Sequence, residues 1–168
     1  MFILLRAVLW VFILFRWGDW RNWRKYQSSI LFVIAGNFLY NFLCHDYSMW
    51  EYPPNTIFHS HTAVSLFYDL TINPGVVILY LGLYPTKVLS QLLWISFWVF
   101  IYAVVEWIEL QIGEITYHNG WNFMWSVLLM GIAVPMIRLH DKKPLWAYGI
   151  SIFIVIGLVK VFEVPIAK

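Results

Sequence analysis

The chain has 168 residues, of which 61% are hydrophobic and only 12% charged. Soluble globular domains carry about 25% charged residues, so composition excludes that class and leaves a polytopic membrane protein. The net charge of +2 says little, no nucleic-acid partner is expected, and the single cysteine, Cys44, excludes an internal disulfide or a cysteine-built metal cluster. Cys44 reads as a small buried hydrophobe. Aromatic residues reach 20%, with 11 Trp, which suits the two membrane-water interfaces.

Residues 1–15 are apolar except for Arg6. The basic cluster follows this run and no small-residue cleavage site appears, so a short first membrane helix is expected rather than a signal peptide. Residues 16–26 read RWGDWRNWRKY, an interfacial anchor in which Arg21, Arg24 and Lys25 are also candidates for binding lipid headgroups. A second helix is predicted over 28–44, with Asn37, Tyr40 and Asn41 on one face. A loop with Asp46, Glu51 and Pro53-Pro54 follows. The third helix is predicted over 63–83, holding Asp69, with a kink or break at Asn73-Pro74-Gly75. The longest apolar run, 88–112, forms the fourth helix and is the element around which the chain is expected to be organised. It ends with Glu106 and Glu109. Tyr117-His118-Asn119-Gly120 reads as a turn, since Asn-Gly tolerates positive φ. The fifth helix is predicted over 121–137 with Pro135 near its end. The sixth is predicted over 145–164, with Pro144 at its first position, Asp141 as a candidate cap and Pro165 as its stop. No internal repeat appears, and 1–168 reads as one integral membrane domain: an all-α bundle of about six transmembrane helices.

Charge sets the orientation. The connections after the first, third and fifth helices hold Arg16, Arg21, Arg24, Lys25, Lys87, Arg138, Lys142 and Lys143, and those after the second and fourth hold no Lys or Arg. Basic loops stay cytoplasmic, so both termini are expected outside. Counted at ~1.5 Å per residue, Asp69 and Glu106 then lie roughly 9 Å inside the outer ends of their helices, near Asn37. Glu109 sits one turn above Glu106. Asn37, Asn41, Asp69, Glu106 and Glu109 thus form a candidate polar intramembrane site in the outer half.

Intramembrane carboxylates are costly and mark either ion or proton pathways or buried pairs. In the first reading the site lines a polar cavity for transport of a small solute, ion or proton. In the second, Arg6 and Lys160 neutralise Glu106 and Asp69, and the chain is a non-catalytic structural, partner-binding or lipid-binding membrane protein. A third reading is an intramembrane metalloenzyme with His59, His61 and His118 as candidate ligands of a divalent metal. On a helix the two rings of His59-x-His61 point about 200° apart, so they share an ion only in extended backbone. No G-x-S-x-G or H-E-x-x-H motif is present, no catalytic residue is assigned, and a non-enzyme is favoured. A homodimer is a candidate assembly, because one copy leaves little room for a central pathway.

The motifs WGDWRNWRKY, MWEYPP, the membrane Glu before YHNGWN, and RLHDKKPLWA together resemble a family of small multi-pass membrane proteins of endospore-forming bacilli and clostridia. The resemblance spans nearly the whole chain. It implies a bacterial cell-membrane protein with a link to sporulation, and supplies no catalytic residue.

Overall fold

Helices dominate the computed structural model, which describes residues 2–54 and 57–166, with side chains from residue 5 onward. In chain order these are α1 (Phe2–Trp17), a 3-10 segment (Trp20–Lys25), α2 (Gln27–Leu43), the two-residue strand β1 (Trp50–Glu51), α3 (His61–Phe67), a π-helical turn (Tyr68–Ile72), α4 (Asn73–Gly82), α5 (Val88–Gln111), β2 (Thr116–Tyr117), α6 (Phe123–Lys142) and α7 (Pro144–Val161). Met1, where the first predicted span begins, lies outside the described residues.

Four helical stretches are long and apolar enough to cross a membrane: His61–Gly82, Val88–Gln111, Phe123–Lys142 and Pro144–Val161. α2 is apolar but has only 17 residues. Leu89, Leu93, Phe100, Trp107 and Phe153 project outward, each more than half exposed. A contiguous apolar surface of this kind is unfavourable in water and natural against acyl chains. The fold is therefore compatible with a helical membrane protein.

Local chemistry explains the element boundaries. Ser60 caps α3, its side chain accepting from the Ala63 N–H, and Asn122 caps α6 by accepting from Met124 and Trp125. α5 contains no Gly or Pro over its 24 residues, and Gly113 follows it with φ +71°. The expected Asn-Gly turn forms with positive φ at both Asn119 and Gly120.

Several predicted features differ. The third helix starts at His61 rather than 63, and its interruption is a π-helical turn ending directly before Asn73-Pro74. Pro74 offers no N–H and its ring crowds the preceding turn, so regular winding is given up there. α6 passes through Pro135 to Lys142 instead of stopping at 137. Asp141 does not cap α7. Its carboxylate binds Arg138 at 2.8 Å and Lys142 at 3.2 Å, which supports the last turn of α6 instead.

The organising element is also different. α4 is buried continuously from Gly75 to Leu81, packed by α1, α2 and α6. On α5 only Trp98 and Glu109 are buried. The longest apolar run thus serves one narrow seam and shows its other faces outward.

The two ends of the bundle have opposite chemistry. At one end the basic connections converge. Asp19 accepts a 2.9 Å hydrogen bond from Tyr26, and both residues lie close against Gly82, where a Cβ would stand 3.4 Å from the Asp19 Cβ and the Tyr26 hydroxyl. The Arg138 guanidinium covers the Tyr84 ring at 4.5 Å. At the other end β1 and β2 pair antiparallel, Trp50 opposite Tyr117 and Glu51 opposite Thr116. Beneath them Cys44, Met49, Trp121, Phe162 and Val164 form a buried cluster, so Cys44 is the small buried hydrophobe expected.

Candidate functional site

The polar residues of the strand-bearing end fall into three connected groups. The first is built on the π-helical turn, which carries Asp69 at 2% exposure. Asn37 of α2 donates to Asp69 Oδ1 at 2.7 Å, and Asn73, one turn further along, donates to the same oxygen at 2.9 Å. Asp69 Oδ2 is buried without a hydrogen-bond partner among the described residues. Asn41 donates to the Asn37 carbonyl at 3.1 Å, and its side-chain oxygen lies 2.9 Å from His61 Nε2. The Tyr52 backbone N–H donates to His61 Nδ1 at 2.9 Å. An accepting Nδ1 carries no proton, so His61 is the Nε2–H tautomer and donates to Asn41.

The second group centres on Glu109, 4% exposed. It pairs with Arg6 Nη1 of α1 and accepts from the Tyr68 hydroxyl at 3.3 Å. The Arg6 guanidinium lies 4.5 Å over the Tyr68 ring, a cation–π contact that adds to the pair. The third group serves Glu106, which accepts from the Tyr117 hydroxyl at 2.6 Å. That hydroxyl is 3.4 Å from Ser126 Oγ, which accepts from Trp121 Nε1 at 2.8 Å. The two glutamates share a face of α5, yet one turns to α1 and the π-helical turn and the other to β2 and α6.

Tyr52, just after β1, links the groups. Its ring stands edge-on to Tyr68 at 5.0 Å and stacks on His61 at 5.7 Å. Burial pushes its phenol well above the ordinary tyrosine range; the nearby Glu109 adds to this, Glu106 and Asp69 act in the same sense, and Arg6 opposes them. All three carboxylates are therefore within electrostatic reach of one ring. Burial likewise raises the Tyr117 phenol, and its hydrogen bond to Glu106 raises it further.

Asn37, Asn41 and Asp69 thus meet in one network, whereas Glu106 and Glu109 belong to neighbouring ones. Arg6 forms an ion pair with Glu109 rather than with Glu106 or Asp69. Lys160 is exposed near the end of α7 and forms no ion pair among the described residues; its long side chain reaches outward, as a lysine at a helix end favours. The histidines do not converge. His59 is exposed, His61 is engaged by Asn41 and Tyr52, and His118 Nε2 lies 3.4 Å from Glu51 and 3.1 Å from Thr116. Among the described residues no group of three or more His, Cys, Asp and Glu is placed to hold a metal. Arg21, Arg24 and Lys25 are exposed at the opposite end.

Sequence reasoning missed Asn73, Tyr68, Tyr52, Tyr117 and Ser126. The i, i+4 spacing of Asp69 and Asn73 was a legible signal; the hydroxyl partners arrive from other elements and had none. It also missed a buried contact at the basic end, Ser29 Oγ to His140 Nδ1 at 3.0 Å, with the imidazole stacked on Phe32. Compared with known proteins, the chain matches no family model, no curated protein and no solved structure.

Proposed function

We propose that this chain is a multi-pass protein of the bacterial cell membrane, with six spans and both termini outside, that binds and passes a small cation, a proton above all, at Asp69 in the outer half of the bundle. One observation carries this reading. Asp69 is buried, its Oδ1 is held by two amide donors, and its Oδ2 has no hydrogen-bond partner among the described residues. An isolated buried carboxylate without a counter-charge is prohibitively costly, and no basic side chain forms an ion pair with Asp69 among the described residues. The neutralising charge is then a proton or small cation on Oδ2. π-helical turns recur at functional sites because they leave the regular hydrogen-bond ladder open, which supports the same reading.

The test is flux. Purified protein in liposomes loaded with a pH-sensitive dye is expected to dissipate an imposed proton gradient. Asp69→Asn keeps the shape and both amide neighbours, and is expected to fold normally and abolish flux. Equal flux from the two proteins, or none from either, overturns the reading.

A second reading is favoured by the Arg6–Glu109 pair: a non-catalytic membrane protein whose polar networks fix helix register. It predicts that Asp69→Asn leaves no functional trace and that losses track folding alone. Under either reading a sporulation link is a proposal carried only by the sequence resemblance.

A further inference from the structure

We propose that residues 16–25 form a docking site for anionic phospholipid headgroups at the basic end of the bundle, independent of any transport activity. Arg21, Arg24 and Lys25 lie on one 3-10 segment and are all exposed. None of these three, nor Arg16, shares an ion pair with a carboxylate among the described residues. The one acid of the segment pairs with none of them among the described residues: Asp19 accepts from Tyr26 at 2.9 Å and from Asn22 at 2.8 Å. Arg138 and Lys142, at the same end, share Asp141 instead. The segment therefore presents concentrated positive charge that the protein itself does not neutralise.

Trp17, Trp20 and Trp23 are exposed between these cations, at 53%, 37% and 45%. Arg16 lies 5.4 Å from the Trp17 ring and Arg21 5.7 Å from that of Trp20. Indole rings favour the depth of the glycerol and headgroup layer, so they hold the guanidinium groups at the level of lipid phosphates. Residues Arg21 to Lys25 also line a shallow depression of mixed polar and apolar surface. Charge complementarity and interfacial depth together commit this surface to the phosphodiester of an anionic lipid rather than to a soluble polyanion, which has no use for exposed indoles. The contacts of Asp19 and Tyr26 with Gly82 anchor the segment to α4, so headgroup binding there stabilises the central helix as well.

The test uses the full chain in detergent, with phosphatidylglycerol, phosphatidylcholine or a soluble polyphosphate added. Phosphatidylglycerol is expected to raise the melting temperature in a salt-sensitive way, and the other two are not. At about fivefold in affinity per basic residue near an anionic surface, the variant R21Q/R24Q/K25Q is expected to lose roughly a hundredfold in phosphatidylglycerol affinity. K142Q/K143Q is expected to keep its affinity, and the charge-keeping R21K/R24K to retain most of it, which separates lost binding from lost folding. Equal stabilisation by phosphatidylcholine, equal stabilisation by polyphosphate, or unchanged affinity in R21Q/R24Q/K25Q overturns the proposal.

Discussion

Arg6 and Glu109 stand 103 positions apart and form the buried ion pair that ties α1 to α5. Both are nearly inaccessible, so either partner left alone becomes an uncompensated buried charge. Glu109→Leu or Arg6→Met is expected to cost about 3–5 kcal/mol, whereas the double variant R6M/E109L recovers most of the loss. A double-mutant cycle on thermal unfolding in detergent checks this. Additive losses contradict a direct pair.

Asn37 and Asn73 both donate to one oxygen of Asp69. Asn37→Ala removes a donor from a buried acceptor and is expected to cost about 1–3 kcal/mol. Asn37→Asp sets a second carboxyl against the first and is expected to be worse than Asn37→Ala. Ranking the two variants by melting temperature tests the order.

Tyr117 joins β2 to Glu106 and Ser126. Tyr117→Phe keeps the ring and strips the donor, with an expected loss of about 1–3 kcal/mol. Adding Glu106→Leu to Tyr117→Phe is expected to restore stability, because the orphaned carboxylate is then gone. Failure of that rescue shows that the hydroxyl acts elsewhere.

Tyr26 donates to Asp19 at the start of α2. Burial and this hydrogen bond push its phenol up to about 12, against about 10 for an unfolded tyrosine. The folded state favours the protonated phenol. Its contribution is thus whole below about pH 10 and is lost as pH rises toward about 12. Unfolding scans across that window are expected to show a steeper decline for the natural protein than for Tyr26→Phe. Parallel curves refute the linkage.

Orientation is testable with single cysteines in a Cys44→Ser background. Cysteines at Lys142 and His118 are expected to react with an impermeant maleimide from opposite faces of the bilayer. Labelling of both from one face removes the six-span topology and the common depth of the carboxylates.

The helical character of the chain and its four membrane-length apolar stretches were legible because long apolar runs separated by Pro, Gly and charged turns leave few alternatives. The turn at Asn119-Gly120 was legible for a similar reason, since its φ values are a local property. The role of α5 was not. A long apolar run looks the same whether it is buried in protein or solvated by acyl chains, so Val88–Gln111 could be mistaken for the centre that α4 occupies. The run of α6 through Pro135 was hidden too, because its last turn is supported by Arg138–Asp141 and by the reach of His140 to Ser29.

From sequence alone came the apolar composition that suits lipid, the helical character of the chain, and the sorting of basic from acidic connections, because these depend on composition and on order along the chain. Only the tertiary structure decided which acid meets which donor. Spacing placed Asp69 and Glu106 at similar expected depth, with Glu109 one turn above, but depth does not specify rotation about a helix axis. Packing supplied that angle, sending Glu109 to Arg6, Glu106 to Tyr117, and Asp69 to two asparagines with one oxygen left over.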